Sequence, residues 1–190
     1  MKGNGKCIIF SAPSGAGKTT IVRSLLTKYP NFAFSVSACS RSPRSYEENG
    51  VHYYFFSVEE FKNKIKQDAF IEWEEVYKDH FYGTLKSEIE KLWGEDKIVI
   101  FDVDAYGGIS LKEFFGQSAM SIFILPPSME ELKNRLVLRN TETPETLKTR
   151  LSKAKEEIAL QEHFDKAYVN DVLEDTIATI QKDIDAFLKA

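Results

Sequence analysis

Cys7-Ile8-Ile9-Phe10 followed by Ser11-Ala12-Pro13-Ser14-Gly15-Ala16-Gly17-Lys18-Thr19-Thr20 decides how this chain is read. A short apolar run enters a small glycine-bearing loop, and residues 19–28 continue as an amphipathic helix. Strand, loop and helix in that order make a phosphate cradle. Gly15 and Gly17 let backbone N–H groups turn inward around anionic oxygens, which needs close approach and φ values that side chains resist. Lys18 supplies positive charge and Thr19 a hydroxyl suited to Mg2+, while the helix N-terminus adds its dipole to the same place. The pattern GxxxxGK plus Ser or Thr is met except at its first position, where Ala12 stands. A glycine-rich turn that binds nothing is the plainer alternative, and the strand before and helix after argue against it.

At 190 residues, 43% of them hydrophobic and 28% charged, the chain can bury a sizeable core as one domain with a small insertion. A net charge of -4 opposes a general nucleic-acid or membrane-surface binder, so any polyanion must meet a local basic pocket. No stretch approaches the roughly eighteen apolar residues of a membrane span, and no signal peptide is read at the N-terminus. A cytoplasmic location is expected. Cys7 and Cys39 lack CxxC spacing and suit a reducing compartment. His52, His80 and His163 are too scattered for a metal site.

Apolar runs alternate with helical patterns, which predicts a mostly parallel sheet covered on both faces. Strands are expected at 7–11, 32–38, 53–56, 70–77, 98–101, 120–125 and 166–169. The first helix should stop near Tyr29-Pro30, because proline cannot continue it. Ser57-Val58-Glu59-Glu60 is a capping box opening a helix to about residue 67, and residues 84–93 form another, ended by Gly94. Residues 33–85 read as a mixed, aromatic-rich subdomain that holds substrate. The final helix carries Leu173, Ile177, Ile180, Ile184 and Leu188 on one apolar face.

Ile98-Val99-Ile100-Phe101 ends in Asp102, and an aspartate closing a buried strand beside a phosphate loop is placed to serve a metal. Asp102 and Asp104 are expected to divide between metal and substrate, at a strand end where α/β folds bind ligands. Ser128-Met129-Glu130-Glu131 opens a helix carrying Arg135 and Arg139 one turn apart, and Thr143-Pro144 opens a long one to about residue 162 with Arg150 near its beginning. Three arginines around one short loop would ordinarily be a solvated face. Beside a phosphate loop they suit charge neutralisation during phosphoryl transfer, since the guanidinium fork fits phosphate oxygens.

These motifs together resemble the guanylate kinase family over nearly the whole length. The resemblance rests on the phosphate loop, Phe34-Ser35-Val36-Ser37, Arg41-Ser42-Pro43-Arg44, Gly50 with Tyr53, Phe70-Ile71-Glu72-Trp73, Tyr82-Gly83-Thr84, Asp102-Val103-Asp104 and Arg139-Asn140-Thr141-Glu142. It implies an α/β fold: a P-loop three-layer core with a mostly parallel sheet (1–32, 86–134 and 151–190), a small mixed monophosphate-binding subdomain (33–85) and a helical lid (135–150). The implied reaction converts ATP and GMP to ADP and GDP, with Mg2+ as cofactor, GMP and dGMP as acceptors, no nucleic-acid or membrane partner, and a monomer or homodimer.

Carried over by position, ATP would meet Ala12, Pro13, Ser14, Gly15, Ala16, Gly17, Lys18, Thr19 and Thr20, with Asn170 near its base and Mg2+ on Thr19 and Asp102. Arg41, Arg44, Tyr53 and Tyr82 would hold the GMP phosphate. Ser37, Glu72, Thr84, Asp102 and Asp104 would surround the rest of GMP. Glu72 gives this chemical sense, because an ionised carboxylate accepts from guanine N1–H and its exocyclic amino group, whereas adenine has no N1–H. Lys18, Arg44, Arg135, Arg139 and Arg150 would neutralise charge in the transition state. Ala12, Cys39-Ser40, Ala105-Tyr106 and Asn140 depart from the family pattern, and none removes a charged group. Two other readings stand beside this one: a catalytically inactive guanylate-kinase-like module that grips phosphopeptides, and another nucleoside monophosphate or sugar phosphate kinase.

Overall fold

Strand β1 (Cys7–Ser11) is buried along its whole length in a five-stranded parallel sheet. Its neighbours are β7 (Ile98–Val103) on one side and β8 (Ala119–Leu125) on the other, with β2 (Phe32–Phe34) and β9 (Lys166–Val169) at the edges. This computed structural model describes residues 5–138 and 144–190. The alternation of strand side chains divides the core in two. Ile8, Phe10, Ile100 and Ile122 face α1 (Lys18–Lys28) and α7 (Leu173–Lys189), while Cys7, Ile9, Val99 and Phe101 face α3 (Lys86–Gly94) and α4 (Ala105–Phe115). With both faces covered, each strand can be continuously apolar, which is why the expected runs read so plainly.

A second sheet of four strands carries the order β4 (Tyr54–Phe55), β3 (Ala38–Cys39), β6 (His80–Leu85), β5 (Phe70–Tyr77). Helix α2 (Val58–Lys66) covers it, with Phe61 stacked 4.4 Å from Phe70 and 5.5 Å from Phe81. Both halves of its capping box form: Glu60 N–H donates to Ser57 Oγ at 3.2 Å, and Ser57 N–H to the Glu60 carboxylate at 2.7 Å. Helices α3 and α4 each touch both sheets, so they couple the two bodies.

Three local expectations change. The run at 32–38 is two strands in different sheets: Ser35 N–H donates to Ile100 O at 2.9 Å, and the chain then crosses to pair Ala38 with Gly83. The helix expected from residue 84 starts at Lys86, because residues 80–85 complete a hairpin with β5. Its turn uses Asp79 at φ 60, a left-handed conformation that aspartate tolerates better than most residues. Helix α4 was not anticipated, since Gly107-Gly108 weakens any helical pattern. Gly108 is required there: a Cβ would stand 2.3 Å from Ser11 Oγ, so glycine lets α4 lie against the end of β1.

The long helix expected to reach residue 162 ends as α6 (Pro144–Ala159), followed by a 3-10 turn at Gln161–His163. Helix α5 (Met129–Leu138) packs against α6 through Leu132, Leu136 and Ala154. Among the described residues, no helix is long and apolar enough to cross a membrane. Cys7 and Cys39 are buried free thiols, and burial pushes Cys7 up to about 12.

Candidate active site

The loop of residues 12–17 leaves β1 and turns directly into α1. Gly15 and Gly17 take φ 97 and φ 100, the left-handed region expected of a loop whose amides point inward. Gly17 has a second constraint, because a Cβ would lie 2.2 Å from Asn170 Nδ2. Ala12 is not among the residues with positive φ, and its methyl packs in the core beside Phe10 and Ile122. The departure from glycine at that position therefore costs no strain. Pro13 O accepts from Ala16 N–H at 3.1 Å, and Gly17 O accepts from Thr20 N–H at 3.1 Å, fixing the loop at both ends.

Parallel pairing brings the next groups in. The register of β1 with β7 sets Phe10 opposite Asp102 and Ser11 opposite Val103, so the aspartate emerges beside the start of the loop. Lys18 Nζ stands 2.5 Å from Asp102 Oδ1 and 2.5 Å from Val103 O, and Thr19 Oγ1 lies 3.4 Å from Asp102 Oδ2. A hydroxyl and a carboxylate are hard oxygen donors of the kind Mg2+ prefers. Among the described residues no group of three or more His, Cys, Asp or Glu could hold a metal ion by itself.

Asp104 behaves differently from Asp102. It caps α4, accepting from Gly107 N–H at 2.9 Å, and its carbonyl accepts from Ser11 Oγ at 2.8 Å. Its carboxyl faces β5. A cleft of about 290 Å3 runs between the two sheets, lined by Ser37, Tyr53, Glu72, Tyr82, Asp102 and Asp104, with Glu74, Val76, Gly83, Val103 and Gly107 completing the wall. Six residues proposed from sequence thus meet in one cavity. Thr84 is buried behind it and donates to Glu72 Oε1 at 2.6 Å, orienting that carboxyl. Burial lifts Glu72 to about 7, with Asp104 and Glu74 raising it further and the Thr84 bond opposing. Glu74 is raised for the same reasons, burial first and Asp104 second.

At the outer end of the cleft, Arg41 lies over the rings of Tyr53 at 5.0 Å and Phe55 at 5.5 Å. Both its terminal nitrogens donate to Glu47, at 2.6 and 2.7 Å. The Arg44 side chain is exposed and donates to Tyr46 Oη at 3.0 Å. Beyond the loop, Arg150 donates to Ser14 Oγ at 2.8 Å, bringing α6 to the loop. Ser14 and Arg150 share a second cavity of about 480 Å3 with Lys153 and Glu157. Arg135 is committed elsewhere, its Nε to Glu131 at 2.9 Å and its terminal nitrogens to Asn170 O at 3.2 and 3.1 Å. Asn170 itself is buried beneath the loop, where Nδ2 donates to Ala16 O at 2.7 Å. Arg139 and Asn140 lie outside the described residues.

Three residues here escaped the sequence reading. Glu74 sits two residues from Glu72, hence on the same strand face, a signal that period-two counting carries. Glu157 is a buried carboxyl on α6, raised chiefly by burial, with Asp104 raising it and Lys153 and Lys18 opposing. Glu47 lies three residues after Arg44, and nothing in its surroundings in sequence marks it.

Comparison with known proteins agrees with this geometry. The guanylate kinase family model matches residues 4–187. Guanylate kinase of Porphyromonas gingivalis is 51% identical over 184 residues, covering 96% of this chain and 98% of that protein. The Bacteroides fragilis guanylate kinase is 48% identical over 98% of this chain and 91% of its own length. The crystal structure of guanylate kinase from Anaplasma phagocytophilum superposes with a TM-score of 0.72 at 30% identity, covering 98% of this chain and 87% of that one. A shikimate kinase structure from Bacteroides thetaiotaomicron, 16% identical with a TM-score of 0.53 over 95% of this chain and 98% of its own, shares the fold. With a loop built to cradle phosphate, a carboxylate-lined cleft beside it and these relatives, the chain belongs to the guanylate kinase family.

Proposed function

We propose that this chain transfers the γ-phosphoryl group of ATP to GMP, and to dGMP, giving ADP and the guanosine diphosphate. The observation that carries this reading is the β1–β7 register, which puts the phosphate loop and the Glu72-lined cleft at one strand end. ATP phosphates lie in the loop amides of residues 12–20, and Lys18 moves from its Asp102 and Val103 partners onto them. Thr19 and Asp102 would hold Mg2+, which when bound would screen the negative charge of the phosphates. GMP enters the cleft with its phosphate toward Arg41, Arg44, Tyr53 and Tyr82 and its base toward Ser37, Glu72, Thr84 and Asp104.

A phosphate oxygen of GMP attacks the γ-phosphorus in line. One P–O bond forms as the bond to the β–γ bridging oxygen breaks, and the electron pair stays on ADP. No covalent nucleophile on the protein is needed, because positioning and charge cancellation supply the catalysis. Arg135, Arg139 and Arg150 are suited to that second task from the segment 135–150, which acts as a lid. Its closure over the loop excludes water and so protects ATP from hydrolysis. The Arg150–Ser14 bond supports this assignment, and Arg135 reaches the phosphates by leaving Asn170 O.

Selectivity rests on Glu72. Its ionised form accepts two guanine N–H bonds, while adenine, lacking N1–H, turns a ring nitrogen toward it. Discrimination on the order of 10⁴-fold is expected of a site built on such bonds. Coupled measurement of ADP release with GMP, dGMP, AMP, UMP and dTMP tests the reading. Turnover with the guanine nucleotides alone is expected; comparable rates with AMP, or none with GMP, would overturn it. No observation favours a phosphopeptide-binding module, since Gly15, Gly17, Lys18 and Thr19 are all in place.

A further inference from the structure

Resting on the proposed monophosphate site, the geometry points to Glu47 as the residue that positions Arg41 for the phosphate of the acceptor nucleotide. The argument begins with a count of donors. A guanidinium has five N–H groups in a rigid fork. On Arg41, Nη1 donates to Glu47 Oε2 at 2.6 Å and to Ser42 O at 3.0 Å, and Nη2 donates to Glu47 Oε1 at 2.7 Å. Three donor bonds, spread over both terminal nitrogens, are therefore spent within the protein. The rings of Tyr53 and Phe55, 5.8 Å apart, lie together on one side of it, and its side chain is only 15% exposed. What remains for a ligand is the Nε edge, one terminal N–H, the fixed positive charge, and the hydroxyl of Tyr82, whose ring meets that of Tyr53 edge-on.

Glu47 is built for this work. Its side chain is 4% exposed, and Oε2 takes a second bond from Arg44 N–H at 2.7 Å while the Glu47 N–H donates back to Arg44 O at 3.0 Å. One carboxylate thus ties the side chain of the first arginine to the backbone of the second, setting where both guanidiniums start. The paired Arg41 holds this carboxylate far below its ordinary range, so the clamp persists through neutral pH. An arginine on a free stem would lose rotamer freedom each time phosphate bound; a clamped one has already done so.

The test compares dissociation constants of GMP and guanosine, whose ratio isolates what the phosphate contributes. Glu47→Gln keeps the shape and removes the charge and one acceptor oxygen. GMP affinity should fall on the order of tenfold with guanosine affinity and the ATP KM unmoved, so that the GMP KM rises more than kcat falls. Glu47→Asp should recover part of the loss, and it carries the same readout if the glutamine variant fails to fold. An unchanged ratio, or equal losses for GMP and guanosine, would overturn the inference. So would tighter binding of GMP relative to guanosine in the variant, which would mean that Glu47 competes with phosphate for Arg41. A wild-type ratio near one would instead overturn the phosphate-site reading itself.

Discussion

On the proposed function, the two sheets of this protein would solve recognition by different means. On the five-stranded parallel sheet, the ligand-facing surface is mostly main chain: a loop of two left-handed glycines, a helix N-terminus, and the end of one strand set against another by register. On the four-stranded sheet it is side chains: Glu72, Glu74, Tyr53, Tyr82 and Arg41, with Glu72 held by Thr84 and Arg41 by Glu47. Main-chain recognition suits a group common to every nucleotide triphosphate, because amides see only charge and oxygen spacing. Side-chain recognition suits sorting one base from another, because donors and acceptors can be placed one at a time. The first costs the conformational entropy of its glycines, whereas the second accumulates buried carboxyls and their desolvation.

Removing one anchor from each side should break the comparison most visibly. Lys18→Ala should lower turnover by roughly three orders of magnitude or more while leaving the GMP-to-AMP preference and the unfolding midpoint almost unchanged. Glu72→Gln should do the converse, raising the GMP KM on the order of 10²-fold with little change in the ATP KM; parallel losses in both would mean a fold effect. Glu72 also carries a stability signature. Its pKa is about 7 in the folded chain against an ordinary 4.5. Between those values the folded protein keeps a proton that the unfolded chain has released, so stability falls as pH rises through that window and levels above it. Urea unfolding across pH 4.5 to 8 should therefore show Glu72→Gln gaining on the wild type, by a few kcal/mol as an order of magnitude.

Smaller changes sharpen the contrast. Asn170→Ala removes the buried amide that holds Ala16 O, and should cost about 1–2 kcal/mol in urea unfolding. It should raise the ATP KM several-fold and leave the GMP KM alone, since the support it removes belongs to the loop. Ser57→Ala deletes one half of the capping box on α2, remote from either ligand. A loss of about 1 kcal/mol in stability with unaltered kinetics is expected, and a kinetic effect would show that the second sheet transmits strain to the cleft.

Legibility followed the same division. The phosphate loop, the buried strands and the Ser57 capping box could be read directly, because local rules of φ, periodicity and capping dictate them. The run at 32–38 could not be divided from sequence, as the break between Phe34 and Ala38 depends on which sheet each half joins. Helix α4 was hidden because Gly108 serves close approach to Ser11 rather than helix propensity, and Gly107 beside it weakens the pattern further. In the cleft, residue identities came through the family resemblance, but the state of Glu72 did not: an ordinary ionised carboxylate was expected, and burial beside Asp104 and Glu74 lifts it into the neutral range. Asn170 was read as a neighbour of the nucleotide base, yet its burial under the loop and its contact with Gly17 come from tertiary packing alone. Glu47 is meaningful only once the turn at 44–47 folds back on Arg41.

The claim on which the rest depends is that Glu72 meets the guanine edge as a carboxylate. Carbon-13 NMR titration of the Glu72 side-chain carboxyl, with and without saturating GMP, tests it most directly. The account expects titration near 7 in the free protein and an ionised group from pH 5.5 to 8 once GMP is bound. A carboxyl that titrates at the same pH in both samples would contradict it.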